Sequence, residues 1–94
     1  MKLIELIQVR SFSEKDKQLA IDLFNHLPLA ESGISPKIGL FGNKDLPTDL
    51  QICLSWDKTC APASKTAAGE KLAAAFKVYG WISHSIWEPI KEIV

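Results

Sequence analysis

Little in this 94-residue chain is typical of a secreted, metal-binding or nucleic-acid-binding protein. Its two cysteines, Cys53 and Cys60, have a spacing that fits neither a zinc site nor a thioredoxin-like motif. We expect a small strand residue at Cys53 and a loop thiol at Cys60, with no disulfide between them. Eleven basic residues balance eleven acidic ones, so the chain lacks the positive excess of proteins that bind nucleic acids or anionic membranes.

Long apolar runs and cofactor motifs are also missing. No hydrophobic stretch approaches the roughly 20 residues that span a bilayer, and Glu5 interrupts the apolar start of the chain, which makes it a poor signal peptide. The glycines form neither a Walker nor a dinucleotide-binding pattern. We therefore expect a cytoplasmic protein without a membrane partner, a nucleic-acid partner, a metal or a cofactor, folded as a single domain over residues 1–94.

The first half of the chain predicts a strand, a helix and two further strands. Residues 2–12 alternate in hydrophobicity, and one side of this first strand carries Leu3, Glu5, Ile7 and Val9. Ser13 is the expected N-cap of a helix that ends before Pro28. The buried stripe of this helix should comprise Leu19, Ala20, Leu23, Phe24 and Leu27. Residues 37–41 and 50–57 predict the second and third strands.

The second half of the chain predicts a second helix, a glycine stop and a fourth strand. Ser64 is the expected N-cap, and residues 67–78 have high helix propensity. The expected buried stripe is Ala68, Leu72, Ala75, Phe76 and Tyr79. Gly69 weakens this helix by about 1 kcal/mol relative to alanine, which favours a close approach of helix to sheet. Gly80 is expected in the left-handed conformation that ends helices, and residues 81–87 form the strand.

The order β-α-β-β-α-β predicts an α+β, ferredoxin-like fold. In this arrangement a four-stranded antiparallel sheet, with spatial order 4-1-3-2 or its reversal, has both helices on one face. The other face would carry tryptophan, isoleucine and leucine side chains without cover. An apolar patch of this size usually marks an interface, so we expect a homodimer that pairs through the sheet.

Residues 3–12, 50–56 and 71–87 together resemble the dimeric α/β-barrel superfamily, which includes antibiotic-biosynthesis-monooxygenase-like proteins. The resemblance lies in size, element order and a sheet with apolar residues on both sides, and it spans nearly the whole chain. It implies a homodimer whose paired sheets form a barrel, often with a small-molecule cavity between each sheet and its helices. Some members are cofactor-free oxygenases of aromatic compounds, and others degrade haem.

The chain departs from the haem-degrading members of this superfamily at two places. Those members place an asparagine on the first strand and a histidine on the second helix. Here the first strand offers Glu5, Gln8 and Arg10, and the second helix has no histidine. The catalytic residues of those members are therefore not carried over, and haem is not an expected ligand.

Four residues are the candidates for a ligand site. His84 lies in the middle of the last strand and is the predicted catalytic residue, because an imidazole titrates near neutral pH. Trp56, Trp81 and Glu5 are the predicted ligand-binding residues, since they offer planar surfaces and a polar group. In the alternative interpretation the tryptophans are core and interface residues, and His84 is a hydrogen-bonded strand residue.

Two functions are compatible with these residues. The first is a homodimeric barrel that binds a small aromatic or hydrophobic ligand, with cofactor-independent monooxygenase activity implied by the resemblance. It requires a cavity of about 300 Å³ or more with convergent polar groups. The second is a non-catalytic homodimeric regulatory or interaction module, in which the same residues are packed without a pocket. An RNA-binding sheet is disfavoured, because the third strand lacks paired aromatic and basic residues.

Overall fold

The computed structural model describes residues 2–27, 36–57 and 64–91. They form an α+β structure with a four-stranded antiparallel sheet and two helices. The elements are β1 (Lys2–Ser11), α1 (Glu14–His26), β2 (Lys37–Gly42), β3 (Asp49–Asp57), α2 (Ala67–Phe76) and β4 (Gly80–Trp87). The predictions for Pro28 and Cys60 lie outside the described residues. No helix within the described ranges is long and apolar enough to cross a membrane.

The sheet has the strand order β2-β3-β1-β4, so the first strand lies between the third and the fourth. All three pairings are antiparallel. Ile7, near the middle of β1, lies opposite Ile52 of β3 and His84 of β4. Because side chains alternate along a strand, this register places Glu5, Ile7 and His84 on the same face.

Both helices pack against that face, which we call the helix face. The core is formed by residues from two strands and both helices: Ile7, Val9, Ala20, Leu50, Ile52, Leu54, Leu72 and Phe76. The strand residues come from alternate positions of β1 and β3, as the period of two in their hydrophobicity predicts. Burial of this apolar surface is the main favourable term in folding.

Helix α1 begins as the sequence predicts. The Ser13 hydroxyl accepts a hydrogen bond from the Asp16 amide at 3.1 Å, which satisfies one of the free N–H groups of the first turn. Ala20 is fully buried, and Leu23, Phe24 and Leu27 pack against the core. The prediction for Leu19 is wrong, because this side chain is 40% exposed.

Helix α2 begins two residues later than predicted. Thr66, not Ser64, is the N-cap, and its hydroxyl accepts from the Gly69 amide at 2.9 Å. The buried positions are Gly69, Leu72 and Phe76, whereas Ala68 and Ala75 of the predicted stripe are exposed. Leu72 and Phe76 confirm the predicted face, and Tyr79 packs against the core. The prediction is wrong only at the two alanines, whose small side chains bury little apolar area.

Gly80 does not adopt the predicted left-handed conformation. A single 3₁₀ turn, Lys77–Tyr79, follows α2, and Gly80 then opens β4 with φ −179° and ψ −178°, an extended geometry open to any residue. Glycine is needed here for space. A Cβ atom at this position would lie 2.7 Å from the carbonyl carbon of Arg10 and 2.8 Å from the Cα atom of Ser11. The close approach of β1 therefore requires glycine at the start of β4.

The second face of the sheet, which we call the open face, is not covered by either helix. It carries large apolar side chains that remain accessible in the described part of the chain. Trp81 is 72% exposed, Trp87 60% and Phe41 58%. The Trp81 ring meets the Phe12 ring edge to face, with centroids 5.7 Å apart and an interplanar angle of 80°. The sheet therefore has one face buried by its own chain and one that presents aromatic rings.

Candidate functional site

A buried carboxylate lies on the helix face of the sheet. Glu5 is in the first half of β1, opposite Leu54 of β3 and Ile86 of β4, and no part of its surface is exposed. Burying a carboxylate without partners is very costly, so charged groups in a core are normally paired or hydrogen-bonded. The surroundings of Glu5 meet this requirement with side chains from three other parts of the chain.

Four donors converge on the two oxygens of Glu5. Oε1 accepts from the Trp56 indole Nε1 at 3.1 Å and from the Thr66 hydroxyl at 2.8 Å. Oε2 accepts from the Thr66 backbone N–H at 3.0 Å and lies 2.6 Å from Nε2 of His84. Each carboxylate oxygen therefore has two partners, which places the charge in a polar cage inside an otherwise apolar layer. We call Glu5, Trp56, Thr66 and His84 the Glu5 cluster.

The hydrogen bonds of the cluster keep Glu5 ionised. Burial alone would raise the pKa of the Glu5 carboxyl, since a low dielectric disfavours the charged form. The bonds from the Thr66 backbone N–H, from His84, from the Thr66 hydroxyl and from Trp56 outweigh burial and lower the pKa below its ordinary value of 4.5. A carboxylate at neutral pH is acceptor-only, so Nε2 of His84 carries the hydrogen that lies between them. In the neutral imidazole, Nδ1 then holds the free lone pair.

The same carboxylate fixes where helix α2 starts. Thr66 donates its hydroxyl and its backbone N–H to Glu5, and its hydroxyl oxygen accepts from the Gly69 N–H within the first turn. Glu5 therefore lies at the positive end of the α2 dipole, where a negative charge is stabilised. These bonds explain why the helix begins after Thr66: only this residue satisfies the helix and the buried charge together.

Gly69 leaves the space that the Glu5–His84 pair occupies. A Cβ atom on this residue would overlap Oε2 of Glu5 and would lie 2.6 Å from the carboxyl carbon and 2.9 Å from Nε2 of His84. No larger residue fits without moving the pair. The close approach of helix to sheet that the sequence indicates at Gly69 is thus present, and it occurs over the charged pair.

The structure brings together three of the four predicted site residues. Glu5, Trp56 and His84 form direct hydrogen bonds, although they are far apart in the chain. Trp81 lies on the open face, on the other side of the sheet. Thr66 was not among the predicted site residues. Threonine has a high N-cap propensity, and its place three residues before Gly69 was the signal that could have identified it.

The Glu5 cluster is suited to holding and transferring a proton. Of the residues that the structure describes, no three His, Cys, Asp or Glu side chains form a group that would bind a metal ion. A histidine oriented by a buried carboxylate is the arrangement that acid–base sites use to fix a tautomer and to stabilise the imidazolium. The His84 side chain retains 9% exposure, so access to the ring is narrow. His26, by contrast, bonds the Asp22 carbonyl at the exposed end of α1 through Nδ1 (2.7 Å).

Comparison with known proteins finds no matching protein family, no matching curated protein and no matching solved structure.

Proposed function

We propose that this protein is a homodimeric, ferredoxin-like barrel protein that binds a small aromatic or hydrophobic molecule and exchanges a proton with it through His84. The observation that carries the proposal is the contact of 2.6 Å between His84 Nε2 and Glu5 Oε2 inside the apolar layer between sheet and helices. A carboxylate held by three further hydrogen bonds has little freedom to turn, and it therefore fixes the imidazole in one orientation.

The proposed step is the transfer of one proton. Nδ1 of His84 accepts a proton from an acidic O–H or C–H group of the ligand, and the ring becomes an imidazolium. The ionised Glu5 stabilises that positive charge across the existing hydrogen bond, and the proton later returns from Nδ1. An aromatic or enolic ligand becomes an electron-rich anion in this step. With dioxygen as co-substrate, a carbon–oxygen bond would form between that anion and O2 to give a hydroperoxide after protonation. Loss of water from the hydroperoxide would break the O–O bond and leave one oxygen atom on the product as a carbonyl, which is the cofactor-independent monooxygenase reaction that the family resemblance implies.

The open face supports the homodimer. Away from the Trp81 end of the β1–β4 pairing, this face carries large apolar side chains that each expose more than a third of their surface: Ile4, Trp87 and Phe41. An apolar patch on a sheet is buried when two identical faces pack around a two-fold axis. Trp87 lies opposite Ile4 on the open face, whereas its neighbour Ile86 lies opposite Glu5 on the helix face. Trp87 is therefore the residue of β4 chosen to test the interface.

Native mass spectrometry of freshly purified protein tests both parts of the proposal, because it reports the number of subunits and any bound small molecule. We expect a dimer that carries an added small mass. His84→Gln should lose that mass, because the glutamine amide still donates to Glu5 but accepts no proton. Lys71→Gln, an exposed change on α2, is the matched control and should retain it. A His84→Gln protein that holds the same ligand as the control would contradict the role of His84.

The interface is tested by Trp87→Glu, with Ile90→Glu as the control. Both side chains are exposed, 60% and 91% respectively, but only Trp87 belongs to the sheet. We expect a monomer mass for Trp87→Glu and a dimer mass for Ile90→Glu. A monomer mass for the unaltered protein at micromolar concentration would contradict the proposed dimeric barrel.

A non-catalytic homodimeric module is the second candidate, and it is favoured by one observation. Glu5 has no exposed surface and the His84 side chain only 9%, which is the burial expected of a purely structural pair. In that case the purified dimer carries no ligand, and His84→Gln changes stability alone. The ligand mass in the experiment above distinguishes the two functions.

A further inference from the structure

A groove of about 260 Å³ lies on the open face, at the end of the sheet where β1 finishes and β4 begins. It is lined by Gln8 and Arg10 of β1 and by Trp81 and Ser83 of β4. Arg10 lies opposite Trp81 and Gln8 opposite Ser83, so the four side chains form two adjacent cross-strand pairs. The Glu5 cluster is on the other side of the sheet and contributes nothing to this groove.

The positively charged side chain of Arg10 lies at the edge of the groove, and most of its surface is exposed. The Arg10 side chain is 63% exposed, and its Nε lies 3.4 Å from Oδ1 of Asp49. The Asp49 side chain is itself only 5% exposed and also accepts from Nε2 of Gln8 at 3.4 Å. The buried carboxylate therefore holds the guanidinium at Nε, and most of the Arg10 side chain remains exposed. A guanidinium presented in this way binds carboxylates through two parallel hydrogen bonds.

An aromatic surface adjoins this cation. Trp81 is 72% exposed, and the edge-to-face contact with Phe12 restrains its ring without covering it. A ring that stacks on an exposed indole gains contact area and removes apolar surface from water. The Ser83 hydroxyl and the Gln8 amide add polar groups to the same groove. Cation, aromatic plane and polar groups thus occur together within one groove.

We propose that this groove is a binding site for a small aromatic carboxylate. The carboxylate pairs with the Arg10 guanidinium, the ring stacks on Trp81, and a hydroxyl or amide substituent meets Ser83 or Gln8. At about 260 Å³ the groove is smaller than the roughly 300–1,000 Å³ of pockets for drug-sized ligands, so it suits a small compound of one or two rings. The site uses no residue of the Glu5 cluster. It shares the open face with the proposed dimer interface but lies at the other end of the β1–β4 pairing from the Ile4–Trp87 pair.

Titration with 2-naphthoate, followed by the indole N–H resonances of the ¹⁵N-labelled protein, tests the proposal. The chain has three tryptophans, and each reports on a different place: Trp81 on the groove, Trp87 on the far end of the open face, and Trp56 on the Glu5 cluster. We expect the Trp81 resonance to move and those of Trp56 and Trp87 to stay. 2-Naphthamide has the same rings without the charge and should bind about tenfold more weakly, since a charge-assisted bond contributes at least about 1.4 kcal/mol.

Two variants distinguish a specific contact with the Arg10 guanidinium from a general effect of positive charge on the protein. Arg10→Gln should weaken 2-naphthoate binding about tenfold and leave binding of 2-naphthamide unchanged. Lys71→Gln removes a cation of the same charge from the exposed side of α2 and should have no effect. An unmoved Trp56 resonance shows that each variant is folded. The proposal is overturned if Trp81 does not respond to 2-naphthoate, if the acid and the amide bind equally well, or if Arg10→Gln binds the acid like the unaltered protein.

Discussion

The two faces of the sheet differ in which groups they bury and which they expose. The helix face buries a charged carboxylate completely, whereas the open face leaves tryptophan rings mostly in solvent. Glu5 is stable inside the core because four donors are directed at it. The rings on the open face have no cover from their own helices, since both helices pack on the other side. Hydrophobicity alone thus fails to identify the buried face; hydrogen-bond partners and helix placement decide it.

This contrast separates substitutions that change the stability of the protomer from substitutions that leave it unchanged. Changes in the Glu5 cluster should act on the free energy of unfolding, because each member is tied to the start of α2. Changes on the open face should act on association and ligand binding and leave the protomer fold intact. Four measurements test this division, beginning with the largest expected effect.

Glu5→Ala should lower the free energy of unfolding by about 3–5 kcal/mol, the cost of leaving partners of a buried charge unpaired. It leaves Trp56, Thr66 and His84 without their acceptor and opens a cavity beneath α2. Denaturant unfolding measures the loss. Glu88→Ala, at an exposed position after β4, is the control and should change stability by less than about 0.5 kcal/mol. Equal losses in the two variants would show that the hydrogen bonds of Glu5 do not stabilise the core.

Gly69→Ala should destabilise the protein by about 1–3 kcal/mol, although alanine favours a helix over glycine. The added Cβ would overlap the Glu5 carboxylate, so the pair has to move. A double-mutant cycle with Glu5→Ala isolates this contact. The loss caused by Gly69→Ala should shrink when Glu5 is already alanine. Additive losses would mean that the methyl group is accommodated elsewhere.

Acid should remove the contribution of Glu5 to stability. The folded-state pKa of Glu5 lies below its ordinary value of 4.5, so the folded state favours the carboxylate. The resulting stabilisation is complete well above pH 4.5 and is lost as the pH falls through the folded pKa. For one group the slope is at most about 1.4 kcal/mol per pH unit. Unfolding curves at a series of acid pH values should show a steeper decline for the unaltered protein than for Glu5→Gln. Parallel curves would contradict the lowered pKa.

Trp81→Ser should have the smallest effect on the protomer, below about 0.5 kcal/mol, because its side chain is 72% exposed. The variant loses the ring contact with Phe12 but creates no cavity. Denaturation in dilute protein isolates the protomer from any dimer. A loss as large as that of Gly69→Ala would mean that the open face stabilises the protomer itself.

Local chemistry made much of the fold predictable. The alternation along β1 and β3 placed their residues on the correct sides, and Ser13 caps α1 as its side chain indicates. The strand bounds differ from those predicted by one residue at an end. Such features depend on neighbours in the chain, through side-chain periodicity and the free N–H groups of a helix start.

The candidate site depended on contacts between distant parts of the chain. The alternation of side chains along β4 already places Trp81 and His84 on opposite faces of the sheet. It does not show that Glu5, Trp56 and His84 contact one another. Ser64 and Thr66 are similarly good N-caps by propensity, and only the buried carboxylate selects Thr66. Gly80 is required by the backbone of β1 rather than by its own conformation. Local pattern therefore determined the elements and which residues of a strand share a side. Tertiary packing decided which polar groups share a site, because burial makes each of them require a partner that only the folded chain supplies.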